Sequence, residues 1–206
     1  MGDPGLQSVR VRVCAAGASR RSDREALLAF LADVTSADPA AVLGGHRCRH
    51  CGRTDHGRPW ATVHGTAVGV SLARTSGVVA FAVGAVHLGV DVERVSRVAA
   101  APLDAFTPGE LARACGDDAL LAACWAAKEA VLKRDGRGLR VDPVSVDVDL
   151  AAGTATFESA AQLVTVVRLD DDLVLAVAAG GLPVTLDDRR PDDAGAARGP
   201  GQGGPS

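Results

Sequence analysis

Val9 to Cys14 alternate apolar residues with arginine, the two-residue period of a strand with one buried face. Ser22 then opens a predicted helix: its hydroxyl can cap, Asp23 and Glu25 suit the positive N-terminal end, and Ala26 to Leu31 supply an apolar face. Pro39, Gly44 and Gly45 interrupt that pattern, and residues 46–59 (HRCRHCGRTDHGRP) are polar and cationic, which predicts a loop. Short strands are predicted at 60–64, 67–72, 78–83 and 86–93. Pro102 and Pro108 punctuate the next connection. Thr107-Pro108-Gly109-Glu110 has the form of a helix start, with Thr107 as cap, Pro108 at the first position and Glu110 closing a capping box. A second helix is predicted over 117–134, capped by Asp117 or Asp118 and stopped by Gly136 and Gly138. Strands follow near 144–149, 154–158, 162–168 and 173–178. The last twenty residues are rich in proline and glycine and predict disorder. Strands and helices thus recur on both sides of about residue 85. The expectation is an α+β fold of two similar lobes, 6–85 and 86–182, with a disordered tail over 183–206, although no sequence repeat is clear.

The composition supports a buried core. Of 206 residues, 47% are hydrophobic and 23% charged, which excludes wholesale disorder. Lys+Arg number 22 against 25 Asp+Glu, a net charge of −3, so the basic excess of a dedicated nucleic-acid binder is missing. No stretch reaches the ~18–20 apolar residues of a membrane span. The start, MGDPGLQSVRVRV, has no apolar signal region. Five cysteines, an odd number, argue against a secreted disulfide framework. The expectation is a reduced, cytoplasmic, monomeric protein. Only Lys128 and Lys133 are lysines, and Glu93, Glu110 and Glu129 lie in the same third of the chain. Codon bias explains how few such residues there are, but not where they sit.

Four groups of residues carry candidate chemistry. In Gly89-Val90-Asp91-Val92-Glu93 the two carboxylates share one strand face, about 6–7 Å apart. A divalent cation such as Mg²⁺ would relieve their repulsion, whereas the plain alternative is a solvated strand end. In Trp125 to Lys133 the residues Trp125, Glu129 and Lys133 form one helical stripe at the border of the apolar face, and the plain alternative is an ordinary Glu–Lys pair. Arg58, and Arg74 with the turn at Thr75-Ser76-Gly77, offer guanidinium and N–H groups for a phosphate, or are simply solvating arginines. Cys48 and Cys51, with His46, His50 and His56 nearby, have the spacing of half a zinc site, but no second pair completes it.

Taken in order, the blocks HGRP, SLARTSG, GVDVE, FTPGE, WAAKEAVLK and GRGL resemble the Sfp-type 4′-phosphopantetheinyl transferases over roughly residues 20–145. The resemblance implies two similar lobes related by a pseudo-twofold axis, with coenzyme A bound between them. It also implies Mg²⁺-dependent transfer of phosphopantetheine to a serine of an apo acyl or peptidyl carrier protein, releasing 3′,5′-ADP. Polyketide or nonribosomal peptide synthesis is the usual setting of such enzymes. By that resemblance Asp91, Glu93 and Glu129 are the metal ligands. Lys133 contacts the coenzyme A phosphates and assists the leaving group, and Glu110 is the base for the serine hydroxyl. Arg24, Arg58, Arg74, Thr75 and Asp91 belong to the cofactor site. The chain departs from the family pattern where Ala73-Arg74 replaces a usual Ser-His, and Arg47 or Arg53 are candidates for further phosphate contacts. Two rival expectations are a non-catalytic relative that binds coenzyme A or a carrier, and a small zinc protein built on Cys48 and Cys51.

Overall fold

The computed structural model describes residues 6–48, 50–84, 87–101 and 104–191. The expected lobe boundary at 85/86, Pro102, and the chain from 192 onward lie outside them. In the first half, β1 (Val9–Ala15) leads into α1 (Arg20–Thr35), and β2 (Val42–Arg47), β3 (Arg58–Val63), β4 (Thr66–Thr75) and β5 (Val78–Gly84) form a meander. In the second half, β6 (Gly89–Arg94) is followed by α2 (Val95–Ala99), α3 (Pro108–Ala114) and α4 (Asp118–Asp135). Strands β7 (Val146–Asp149), β8 (Thr154–Phe157), β9 (Ala160–Leu163), β10 (Thr165–Arg168), β11 (Leu173–Ala178) and β12 (Val184–Arg189) complete it. The fold is a mixed α+β one.

Strand alternation sets the layers. The first sheet has the order β12-β1-β5-β4-β3-β2 and the second β10-β11-β6. On β5, Val79, Phe81 and Val83 face Leu27, Phe30 and Leu31 of α1, while Ala80 and Ala82 share the opposite face with Val9, Val11 and Val13 of β1. That opposite face meets Val90 and Val92 of β6 and Leu173, Leu175 and Val177 of β11. The other side of β11, Val174, Ala176 and Ala178, packs on α4. The result is helix, sheet, sheet, helix. A third sheet, β7-β8-β9, flanks α4. Alanines at 122, 126, 127 and 130 let α4 lie close to its neighbours. Gly89 lets β6 do the same, since a Cβ there would sit 2.0 Å from the Ala130 carbonyl oxygen.

The local punctuation follows sequence chemistry in most places. Asp117 caps α4, Gly136 ends it with φ +91°, and the Thr107–Glu110 capping box opens α3. The first helix departs from expectation: Ser19 is the cap and Ser22 its capping-box partner, so the helix begins one turn earlier. The predicted break at Gly44-Gly45 is instead strand β2. Its glycines are there for packing, because a Cβ on Gly44 would meet Leu28 at 2.6 Å and one on Gly45 would press on the Trp60 ring. The single strand expected at 162–168 is two, β9 and β10. The tail expected to be disordered from 183 starts with β12, which runs parallel to β1 with Val9 opposite Val184. Arg12 holds it through Asp187 at 2.9 Å, a long-range charge pairing that local polarity hides. All five cysteines are free, and no helix among the described residues is long and apolar enough to cross a membrane.

One order of elements occurs twice. A strand, followed by α1 in the first half and by α2, α3, α4 and a further 3₁₀ turn in the second, leads to a short 3₁₀ turn capped by aspartate with proline at its first position, Asp38 before Pro39–Ala41 and Asp142 before Pro143–Ser145. Antiparallel strands follow, and the last returns to pair with the first, β5 with β1 and β11 with β6.

Candidate functional site

The face of β6 opposite Val90 and Val92 carries Asp91 and Glu93 toward α4, whose stripe Trp125, Glu129, Lys133 runs over them. Lys133 Nζ lies 2.5 Å from Asp91 Oδ1. Trp125 Nε1 donates to Glu93 Oε1 at 3.1 Å, and Arg97 Nη1 donates to Glu93 Oε2 at 2.5 Å. Lys133 thus meets Asp91 at one end and Trp125 meets Glu93 at the other, and Glu129 lies on the helix between them. Asp91 and Glu93 are both buried, and Asp91 Oδ2 has no hydrogen-bond partner.

Charge and burial conflict here. Burial pushes the Asp91 carboxyl up to about 7 against the pull of Lys133, and the charges of Glu129 and Glu93 push the same way. Glu129 is also raised, by burial first, with Glu93 adding to it. Burial works against the Lys133 ammonium, but Asp91 and Glu129 outweigh it and hold its pKa above the ordinary value. A buried carboxylate oxygen with no partner, beside two more acids, is an arrangement that a divalent cation would stabilise. The three side chains therefore fit such an ion chemically. They do not form a closed cluster: the group of three ligating side chains within 4.8 Å of one another among the described residues is Cys48, Cys51 and His56.

Lys133 also opens onto solvent space. It lines a cavity of about 270 Å³ with Arg58, Arg137 and Arg140, and a neighbouring one of about 340 Å³ with Arg20, Arg24 and Arg74. The two share His46, Gly57, Leu72 and Lys133, so they read as one bent cleft with cationic walls. Arg74 is anchored there by the buried Asp23 at 2.7 Å and by the Gly17 carbonyl at 2.8 Å. Arg24 Nε and His46 Nδ1 are buried atoms without partners. The His46 pKa is lowered by burial and then by the Arg24 charge, so that side of the cleft favours an anion over another proton.

Of the residues singled out from sequence, Arg24, Arg58, Arg74 and Lys133 surround this cleft, and Lys133 ties it to Asp91. Thr75 is not among the lining residues; its side chain is buried. Glu110 requires a correction. The residue is 1% exposed, and its carboxylate forms a salt bridge with Lys128, Nζ to Oε2 2.8 Å, between two side chains of zero exposure. It also accepts from the Thr107 and Val148 N–H groups, each at 2.8 Å. This carboxylate ties α3 to α4 and β7, and it is closed to an incoming serine. Sequence reasoning missed Arg20, Arg137 and Arg140 as cleft residues and gave His46 only to the cysteine loop. In a chain with twenty arginines, nothing local distinguishes them.

Residues 87–178 match the family model of the 4′-phosphopantetheinyl transferase superfamily. That span holds Asp91, Glu93, Glu129 and Lys133, and over it the chain is similar to this superfamily, a class of transferases whose general chemistry is phosphopantetheine transfer. No curated protein matches the chain.

Proposed function

We propose that the chain is an Sfp-type enzyme that moves the 4′-phosphopantetheine arm of coenzyme A onto a serine of an apo acyl or peptidyl carrier protein, releasing 3′,5′-ADP. The observation that carries this reading is the cationic cleft meeting, at Lys133, the buried acid stripe of the span similar to the phosphopantetheinyl transferase superfamily. The blocks Gly57-Arg58-Pro59 and Ser71 to Arg74 lie outside the matched domain, yet they line the same cleft. That supports the subfamily over the superfamily alone. The repeated order of elements, each with its Asp-Pro turn, supports two related lobes, up to about residue 85 and from there to 182, around a pseudo-twofold axis.

Asp91, Glu93 and Glu129 would hold the Mg²⁺. When bound, that ion supplies Lewis-acid neutralisation of the diphosphate. The chain's own groups do the rest. Arg24, Arg58 and Arg74 attract and orient a polyanionic cofactor, with guanidinium forks suited to phosphate oxygens. Lys133 meets the charge that develops on the leaving phosphate as the serine Oγ–P bond forms and the pyrophosphate P–O bond breaks. Asp91 and Glu93 beneath are buried, which strengthens the electrostatic interactions they make.

Intact-mass measurement of apo carrier proteins incubated with coenzyme A, Mg²⁺ and the full chain tests the reading. The expected result is a gain of one phosphopantetheine on the carrier, lost with Glu129→Gln and with Lys133→Met. Unmodified acyl and peptidyl carriers in the presence of folded protein would overturn it. If coenzyme A still bound by calorimetry, the chain would instead be a non-catalytic binding relative.

A further inference from the structure

The loop joining β2 to β3 forms part of the cleft wall, and none of its described residues belongs to a hydrophobic core cluster. It spans residues 48–57 and is polar, and among its described residues only Cys48 is buried. Such an excursion pays a closure entropy that little local packing offsets. Two backbone bonds hold its start, Cys48 N–H to the Arg53 carbonyl and Gly52 N–H to the Cys48 carbonyl, both 2.9 Å. Gly57 pinches its neck at φ +97°, where a Cβ would lie 2.6 Å from the Cys48 backbone.

Inside the loop the side chains converge. Ligand atoms of Cys48, Cys51 and His56 lie within 4.8 Å of one another, and Cys51 Sγ is 3.3 Å from His56 Nε2. For a tetrahedral zinc with bonds of ~2.3 Å to sulfur and ~2.05 Å to nitrogen, the sulfur–nitrogen separation would be about 3.6 Å. The observed spacing is therefore near that of a shared ion. His56 Nδ1 is 2.8 Å from Asp55 Oδ1, and Asp55 in turn accepts from Arg53 Nε at 3.1 Å. A carboxylate on the far nitrogen turns the Nε2 lone pair toward the cysteines, as the outer partner of a metal-bound histidine does.

We propose that Cys48, Cys51 and His56 bind a zinc ion that staples this loop, with the fourth tetrahedral position left to water. Two thiolates and one neutral imidazole cancel the charge of Zn²⁺, and the mixed sulfur–nitrogen set favours zinc over Mg²⁺ or Ca²⁺. The staple fixes the segment that carries His56, Gly57 and Arg58 to the cleft. It is separate from the Mg²⁺ stripe, and it stands whether or not the chain transfers phosphopantetheine.

The test is elemental analysis of the full chain, purified without chelator, together with titration of the stripped protein by zinc and by cobalt(II). Stoichiometric zinc is expected, with thiolate-to-cobalt charge-transfer absorption on cobalt binding. Cys51→Ser and His56→Ala should each abolish both signals, while Cys115→Ser should leave them unchanged. Asp55→Asn keeps every donor atom and should weaken zinc binding about 10–100-fold, with circular dichroism unchanged. A parent chain that binds neither metal, or Cys51→Ser and His56→Ala variants that bind as the parent does, would overturn the proposal.

Discussion

Replacing Lys128 by methionine keeps the volume of the stem and deletes the charge. The ammonium is enclosed, 2.8 Å from Glu110 and 3.0 Å from the Pro143 carbonyl, with the Val146 carbonyl as a further acceptor. In Lys128→Met the Glu110 carboxylate keeps two backbone N–H donors but loses its cation, and two carbonyls lose a donor. Removing one partner of a buried pair typically costs about 3–5 kcal/mol. At ~2–4 °C per kcal/mol for a chain of this length, the melting temperature should fall by about 6–20 °C. In urea, with a slope near 2 kcal/mol/M, the midpoint should drop by about 2 M with the slope unchanged. The companion variant Glu110→Gln separates structure from chemistry. A structural Glu110 predicts lost stability with turnover per folded molecule near parental. A general base would cost turnover about 10²–10⁴-fold in a normally stable protein. The double variant should lose less than the sum of the singles, because its members share one interaction. A Lys128→Met protein within about 1 kcal/mol of the parent would refute the burial argument, and a stable Glu110→Gln protein with collapsed turnover would restore Glu110 as the base.

Three further outcomes are expected. Gly89→Ala drives a methyl into the α4 backbone, and thermal melts should show a loss of at least ~1–3 kcal/mol; a near-parental melt would mean that β6 and α4 are not in that contact. Truncation after Pro183 strips β12 from β1 and should lower the urea midpoint clearly, whereas an unchanged midpoint would make that strand dispensable. Without divalent ions, the raised Asp91 pKa means that the folded chain keeps a proton that the unfolded chain releases above about 3.9. That stabilisation is complete below the unfolded value and is lost as pH rises through about 7. Urea midpoints followed from pH 4 to 8 should therefore show a decline that Asp91→Asn lacks; parallel profiles for the two proteins would contradict the assignment.

How far the sequence could be read depended on how local each cause is. Helix caps at Thr107 and Asp117, the stop at Gly136, and the alternation of β1 and β6 arise within a few residues, and they were legible as such. The Asp-Pro turns at 38–39 and 142–143 were equally local, but they announce an internal relation only once the strands around them are known to return on their first members.

By itself, then, the chain determined where α3 starts and where α4 starts and stops, which strand face carries Asp91 and Glu93, and that Trp125, Glu129 and Lys133 share a stripe. Tertiary structure alone decided what those charges meet. Lys133 and Glu110 both lie on helices beside an apolar face, and only packing makes one a cleft residue and the other a sealed brace, because desolvation and ion pairing depend on neighbours distant in the chain. The same holds for β12, whose charged residues become a strand when Arg12 of β1 offers a partner across the sheet.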